Sequence, residues 1–190
     1  MLKPTRRKLV NSMSHSTSVH NGFSARKLCL AALFAALACA GTSIAIPLPV
    51  GYFNLGDIFV LCAAWILGPV LGYAAAAIGT ALADVILGYL VYAPATFVVK
   101  GCMALAAALL LPVFLSILKK DFPARLITAI IGEAIMVGGY FLFEATFMGC
   151  GIGAAASIPG NTLQAACGVI GATALMRLLM TNRAIRGYLN

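Results

Sequence analysis

The sequence predicts an all-α integral membrane protein with six transmembrane helices and both termini in the cytoplasm. Of its 190 residues, 62% are hydrophobic and only 9% are charged, whereas a soluble domain carries roughly a quarter of its residues as charges. The apolar residues form stretches about as long as the 20 or so residues that cross a bilayer. In water the chain would expose more apolar surface than a soluble monomer tolerates. Soluble enzymes, nucleic-acid binders and disulfide scaffolds are therefore poor interpretations, despite the net charge of +8.

The N-terminal residues 1–25 are basic, rich in Ser and His, and without apolar periodicity, which predicts a disordered cytoplasmic tail. The membrane domain is expected over residues 26–183, followed by a short cytoplasmic tail at 184–190. A signal peptide over residues 28–41 is the alternative, because a basic flank, an apolar run and small residues before Cys39 are typical of one. The apolar run continues to Ile46, which favours a membrane span.

Four apolar stretches each predict one crossing, and they are residues 28–46, 95–118, 126–148 and 158–180. The region 55–92 is different, because a single helix over its 38 residues would be about 57 Å long, too long for one crossing. Gly68-Pro69 offers a break, since proline cannot continue the hydrogen-bond ladder of a helix. Division there predicts two helices, at 58–67 and 70–91.

The distribution of Lys and Arg decides between five and six crossings. Basic residues are concentrated in the N-terminal segment, in the connection 119–125 and from residue 177 onward. With six crossings all three clusters lie on the cytoplasmic side, as the positive-inside rule requires, and only Lys100 falls elsewhere. With five crossings, Lys119 and Lys120 would face outward. Six crossings are therefore predicted.

Polar side chains at membrane depth are the candidate binding residues, because a charge there costs about 2.5–3.5 kcal/mol. The six-span topology places such groups from several segments in the outer third of the membrane. The candidates are Asn54, Asp57, Asp84, Tyr92, Lys100, Tyr140, Glu144, Asn161 and Gln164. Polar groups that converge from separate helices within an apolar body are what a small-molecule site requires.

Structural roles remain open as alternatives for several of these residues. Asp57 is also placed to cap the second helix, and Asn161 to cap the sixth. Asp84 and Lys100 are also placed to form an ion pair between the third and fourth helices. Glu144 lies near enough to the surface to be solvated.

Glu133 shares a helical stripe with Tyr140 and Glu144 but lies deeper, so the sequence does not assign it to the pocket. An intramembrane enzyme that uses Glu133 or Glu144 as a base is one alternative function. It would need a metal-ligand set or an activated nucleophile. No Cys-x-x-Cys spacing or Walker loop is present, and His15 and His20 fall in the tail, so neither a metal site nor an ATP site is predicted. A structural membrane subunit is the second alternative.

The first helix carries small residues at overlapping four-residue spacings: Ala31, Ala32, Ala35, Ala36 and Ala40. Such spacings let helices approach closely in lipid. Because they lie on two adjacent faces, we expect room for one partner inside the protein and one outside it. A similar run in the third helix, Gly72, Ala76, Gly79 and Ala83, predicts internal packing.

Four linked motifs resemble a known family: Tyr52-Phe-Asn-Leu-Gly-Asp57, Gly68-Pro69-Val-Leu-Gly72, Gly79-Thr-Ala-Leu-Ala-Asp84 and Tyr92-Ala-Pro-Ala-Thr-Phe-Val-Val-Lys100. Together they resemble the substrate-binding S components of energy-coupling factor (ECF) vitamin transporters. The likeness is greatest to the riboflavin-type branch, which also holds hydroxymethylpyrimidine- and pyridoxine-type members. It implies an S-component bundle of six helices in the cell membrane of a prokaryote. It also implies a vitamin pocket near the outer face, closed by the loop at residues 46–51.

The resemblance further implies the partners, which are a vitamin, membrane lipid, a transmembrane coupling subunit and two ABC-type ATPases. Because the ATPases use the ATP, no cofactor is expected in this chain. In such proteins an Ala-x-x-x-Ala face of the first helix docks onto the coupling subunit, and the S component topples to carry the loaded pocket inward. Ala32 and Ala36, or Ala31 and Ala35, occupy the matching positions.

On substrate, the resemblance assigns Asp84 and Lys100 to a structural pair and leaves selectivity to the first loop and the last two helices. The polar residues there suit a neutral or cationic heteroaromatic ring. We expect a ligand of pyridoxine or pyrimidine size rather than the larger flavin, and the sequence does not decide which vitamin it is.

Overall fold

The computed structural model describes residues 24–47 and 52–182. Residues 1–23 and 184–190 of the expected tails lie outside the described residues, as do residues 48–51 of the expected gating loop. Within the described residues, five helices are long and apolar enough to cross a membrane. The prediction of a helical membrane protein is confirmed, while six crossings and cytoplasmic termini stay predictions.

The helices are α1 (Ala25–Ser43), α2 (Gly56–Ile86), α3 (Ala93–Leu118), α4 (Asp121–Thr146) and α5 (Ile158–Thr181), with a 3₁₀ helix at Gly151–Ser157 before α5. Between α1 and α2, the two-residue strands β1 (Ile46–Pro47) and β2 (Tyr52–Phe53) pair antiparallel. The predicted first helix therefore ends three residues early. A residue before proline avoids the helical region, so Ile46 enters the strand rather than the helix.

The hydroxyl of Ser24 begins α1, because it accepts the backbone N–H of Lys27 at 3.4 Å. Pro94 lies in the first turn of α3, where its missing N–H has no helical partner to lose. Between α2 and α3, Gly88 has a φ of 85°, a backbone conformation that suits glycine.

The helix α2 is interrupted at Gly68, whose φ of 78° and ψ of −173° are not helical. Beyond this point the chain folds back on itself. A Cβ added to Gly72 would lie 2.9 Å from the Cα of Ala64, whereas residues eight apart in a continuous helix are separated by about 12 Å. The break predicted at Gly68-Pro69 is confirmed, and it gives two antiparallel helical segments, at residues 56–67 and 69–86.

Small side chains set the packing around α2. Gly72, Ala76, Gly79 and Ala83 are all buried, as the sequence predicted. A Cβ on Gly79 would lie 3.0 Å from the Cα of Ala35, so α1 and the second segment of α2 are in backbone contact. The first segment packs its larger Leu61 with Met103 and Met136 in the core, all three fully buried. This arrangement brings the start of α2 into the middle of the bundle.

Candidate functional site

A buried ion pair joins α2 to α3. The ammonium of Lys100 donates to Oδ1 of Asp57, and the two side chains are 1% and 0% exposed. Lys100 is the eighth residue of α3, about 10 Å from its start. At such a depth each charge needs a partner, because an isolated one is expensive to bury. The pair therefore fixes α2 against α3.

Gln164 of α5 extends the ion pair into a network. Its Nε2 donates to Oδ2 of Asp57 at 2.6 Å, and its Oε1 accepts the side-chain N–H of Asn54 at 2.9 Å and the backbone N–H of Asn54 at 3.2 Å. Asn54 and Gln164 are 6% and 3% exposed. Four of the predicted site residues thus form one buried network that ties the loop before α2 to three helices.

Asn54 also satisfies a backbone group at the start of α2, because its Oδ1 accepts the N–H of Gly56 at 2.9 Å. The alternative expectation that Asp57 caps this helix is wrong, since Leu55 occupies the N-cap position and both oxygens of Asp57 bind side chains of other helices. Because the loop residue Asn54 satisfies this backbone group, the Asp57 carboxylate is available for Lys100.

A second polar cluster lies at the C-terminal end of α4, around Glu144. Glu144 accepts the hydroxyl of Tyr92 through Oε1 at 3.3 Å and the hydroxyl of Ser157 through Oε2 at 2.5 Å. The Glu144 and Tyr92 side chains are half-buried. Burial, followed by the nearby Glu144 carboxylate, raises the pKa of Tyr92 to about 12, so its hydroxyl keeps its proton and remains a donor. Glu144 is therefore held by two hydroxyls and is not simply solvated.

Tyr140 of α4 contacts α3 next to the buried ion pair. Its hydroxyl shares a 2.9 Å hydrogen bond with Thr96, and its ring centre lies 5.6 Å from the Lys100 ammonium. That distance is within the range of a cation–π contact. Tyr92, Thr96 and Lys100 are four residues apart and share one face at the start of α3, so the polar groups follow this face from half-buried Glu144 to fully buried Asp57.

Two predicted site residues have surroundings that differ from the expectation. Asp84 is fully buried in the second segment of α2, and Lys100 forms an ion pair with Asp57, a partner that the sequence did not predict for it. Asn161 is half-buried inside α5, which begins at Ile158. It does not cap that helix, since Ser157 occupies the N-cap position.

Glu133, which the sequence left unassigned, lies next to the buried network. It is 2% exposed, and neither carboxyl oxygen has a hydrogen-bond partner within the described residues. A Cβ added to Gly168 of α5 would lie 3.1 Å from Cδ of Glu133 and 3.0 Å from Cβ of Asp57. Because Gly168 has no side chain, there is room beside its backbone for both the Glu133 carboxyl group and the Asp57 side chain.

Comparisons with known proteins agree with this architecture. A family model described as "ECF-type riboflavin transporter, S component" matches residues 22–181. The chain belongs to this family. An S component is the substrate-binding subunit of a transporter, so this chain is a vitamin-capture subunit and not an enzyme. S components work with a vitamin and with an ECF coupling unit that contains ATPases. The resemblance stated from the sequence motifs is confirmed.

A relative from Pyrococcus woesei, described as an "Uncharacterized protein in gap 3'region", is 35% identical over 127 residues. The aligned part covers 67% of this chain and 81% of that protein.

The alanine-rich helix α1 of this S component presents two different faces. Ala32, Ala36 and Ala40 are exposed, whereas Ala31 and Ala35 are half-buried. The exposed face borders a groove of about 700 Å³ that is almost wholly apolar and continues onto the second segment of α2. Ala35 is the residue that meets Gly79. Ala32 and Ala36 thus form the more exposed, outward pair and Ala31 and Ala35 the half-buried, inward pair, although all four line the groove.

Sequence reasoning missed Ser157, Thr96 and Gly168 as parts of the S-component site. Ser157 lies in a stretch of Gly and Ala with no helical or strand period, so no pattern pointed to it. Thr96 stood inside a family motif, but its partner Tyr140 is 44 residues away. Gly168 gave no signal, because a glycine inside an apolar span is common.

Replacing Gly168 with alanine is expected to lower the free energy of unfolding by about 1–3 kcal/mol, because the new methyl group would overlap the Glu133 carboxyl and press on Asp57. Thermal or denaturant unfolding in detergent measures this. Gly138→Ala is the matched control, since a Cβ at that position of α4 has nothing within 4 Å. Adding Glu133→Ala should restore most of the loss, and a Gly168→Ala protein as stable as the wild type would contradict this packing.

Proposed function

We propose that this S component captures a small water-soluble vitamin or precursor of the pyridoxine, hydroxymethylpyrimidine or riboflavin class from outside the cell. It would then release the vitamin inward after docking on the coupling subunit, which is powered by two ATPases. The observation that carries the proposal is the line of polar side chains from Glu144 through Tyr140 to Asp57 within an apolar bundle.

The proposed setting is the plasma membrane of a prokaryote, with residues 26–183 as one six-span domain and both termini in the cytoplasm. The reversal at Gly68 supports two crossings by α2. If α2 crosses twice, four crossings precede residue 119, so Lys119 and Lys120 lie on the same side as the basic N-terminal segment. This agrees with the positive-inside rule. The segment 56–67, about 18 Å long, is short for a crossing and relies on its loop at one end.

Two roles divide the nine candidate residues. Asn54, Asp57, Lys100 and Gln164 are buried and bind one another, so a ligand could use them only by breaking bonds that already exist. We assign these four, together with buried Asp84, to the scaffold that holds the loop over the pocket.

Tyr92, Tyr140, Glu144 and Asn161 are only half-buried and are our proposed ligand contacts. The Glu144 carboxylate would accept an N–H or O–H of the ligand in place of a protein hydroxyl. The Tyr rings would pack against a heteroaromatic ring. This set suits a ring of pyridoxine or pyrimidine size, and riboflavin is the second candidate because the family description names it.

Mass spectrometry of the protein purified in mild detergent tests the proposal. A retained heteroaromatic vitamin, confirmed by titration calorimetry with pyridoxine, hydroxymethylpyrimidine and riboflavin, is the expected result. A protein that retains and binds none of them, and forms only protein complexes, would instead be a structural subunit.

Replacing Glu144 or Asn161 with alanine is expected to weaken vitamin binding by about tenfold or more, which corresponds to the loss of one hydrogen bond of about 1.4 kcal/mol. Calorimetry on the same vitamin measures the change. Thr146→Ala is the control, because this exposed hydroxyl on the same helix bonds only to the carbonyl of Leu142 among the described residues. Wild-type affinity in both variants would remove these residues from the pocket.

A further inference from the structure

A cavity lies at the opposite ends of α4 and α5 from the candidate vitamin site. Its volume is about 640 Å³, and it is formed by the first residues of α4 and the last two turns of α5. Since α4 spans 26 residues, the two sites are separated by roughly 35 Å along that helix. The vitamin site therefore does not explain this cavity.

The charges around the cavity favour an anion. Among the described lining residues, Lys120, Arg125 and Arg177 are cationic and Asp121 is anionic, so three positive charges and one negative charge leave a net charge of +2. Both oxygens of Asp121 accept the Nε–H of Arg125, at 3.0 and 2.9 Å. The carboxylate is therefore already neutralised within the protein, and Lys120 and Arg177 provide the excess.

Arg125 is held firmly at the inner wall of the cavity. It is 8% exposed, and its guanidinium lies 5.5 Å from the ring centre of Trp65. Its Nη1 is buried with no hydrogen-bond partner within the described residues. A buried donor without an acceptor is costly, so an oxygen acceptor supplied from the cavity would stabilise it.

The place of the cavity identifies the source of the anion. It lies beside the charged connection 119–121 between two apolar helices, which is the level of the phospholipid headgroups. Lys120 is the N-cap of α4 and gives it no side-chain cap, so the first N–H groups of that helix favour a negative group. Phe122, Pro123 and Met180 complete an apolar wall on which the glycerol part of a lipid could lie.

We propose that this cavity binds the phosphate group of an anionic phospholipid. Lys120 and Arg177 donate charge-assisted hydrogen bonds to the phosphate oxygens, and Arg125 provides a fixed guanidinium behind them. Basic pockets between membrane helices recognise lipid headgroups in this way. The site would anchor this end of the bundle to acidic lipid, independently of whether a vitamin is bound.

The experiment titrates the full-length protein in neutral detergent with phosphatidylglycerol and with phosphatidylcholine, and native mass spectrometry counts the bound lipids. The wild type is expected to bind phosphatidylglycerol preferentially. Lys120→Gln with Arg177→Gln should weaken that binding by about tenfold, in line with the contribution of basic groups at an acidic lipid surface. Both side chains are exposed, so the fold should be retained, and thermal unfolding checks this.

The matched control is Lys27→Gln with Lys119→Gln, which removes the same charge from exposed positions that do not line the cavity. This variant should bind phosphatidylglycerol within about twofold of the wild type. Equal losses in the two double variants, or no loss in either, would overturn the site.

A competition with inorganic phosphate distinguishes a lipid headgroup from free phosphate as the source of the anion. Lipid binding that resists phosphate supports the headgroup, whereas displacement by phosphate in the wild type supports the same site with free phosphate as its ligand. The test needs no vitamin, so it fails or succeeds independently of the proposed transport function.

Discussion

Replacing Lys100 with methionine is expected to lower the free energy of unfolding by about 3–5 kcal/mol, the range found when one partner of a buried ion pair is removed. The reason is that the Asp57 carboxylate is 0% exposed and would lose the cation that compensates it. Gln164 would still donate to Oδ2, but a single amide N–H does not replace an ammonium. Chemical or thermal unfolding of the protein in detergent, without vitamin, measures the change.

The double variant Asp57→Asn with Lys100→Met is the control that identifies the cause. It removes both charges of the pair, so neither is left buried without the other, and it should recover most of the stability that Lys100→Met loses. If the double variant were as unstable as the single one, the loss would come from packing around the long Lys100 side chain instead. Lys100→Met should also weaken vitamin binding, because the network through Gln164 holds Asn54 in the loop.

The features of the fold that follow from local stereochemistry were predictable. The reversal at Gly68-Pro69 is one, because proline ends a helix and glycine accepts the positive φ that the turn needs. The apolar length of each helix is another. Pro47 also keeps Ile46 out of α1, a local effect, whereas the pairing of β1 with β2 across the loop was not predictable.

The candidate site shows more clearly what could be predicted from the sequence and what could not. The sequence selected Asn54, Asp57, Lys100 and Gln164 because polar residues are rare at membrane depth, and the structure brings these four together. It did not predict the pairing of Lys100 with Asp57. Asp57 and Asp84 lie on the two antiparallel segments of α2, so depth in the membrane alone does not distinguish them.

Pairings between distant positions were also outside the reach of sequence patterns. Asp57 and Gln164 are 107 residues apart, and Tyr92 and Glu144 are 52 apart. Helical periodicity states which side chains share a face of one helix, not which helix that face meets. The same limit left Glu133 unassigned, since its position beside Asp57 depends on the bare backbone at Gly168.

Replacing Ala36 with leucine is expected to abolish vitamin uptake in the presence of the coupling subunit and ATPases, while the isolated protein binds the vitamin as before. Ala36 is exposed on α1 and borders the apolar groove formed with α2. Helices in lipid associate through small residues that allow close approach, and a leucine would hold the partner helix away. The vitamin contacts proposed at Glu144 and Asn161 belong to other helices, which is why binding should not change.

Two comparison variants separate docking from folding. Ala134→Leu adds the same side chain at an exposed position of α4 and should transport like the wild type. Ala35→Leu should instead destabilise the isolated protein, because Ala35 meets Gly79 of α2 in backbone contact. Uptake of labelled vitamin into proteoliposomes, together with co-purification of the coupling subunit, measures docking. Normal uptake by Ala36→Leu would exclude this face as the docking surface. Loss of uptake in Ala36→Leu alone would assign the outward pair, Ala32 and Ala36, to the coupling subunit. Ala31 and Ala35 would then belong to the packing of the bundle.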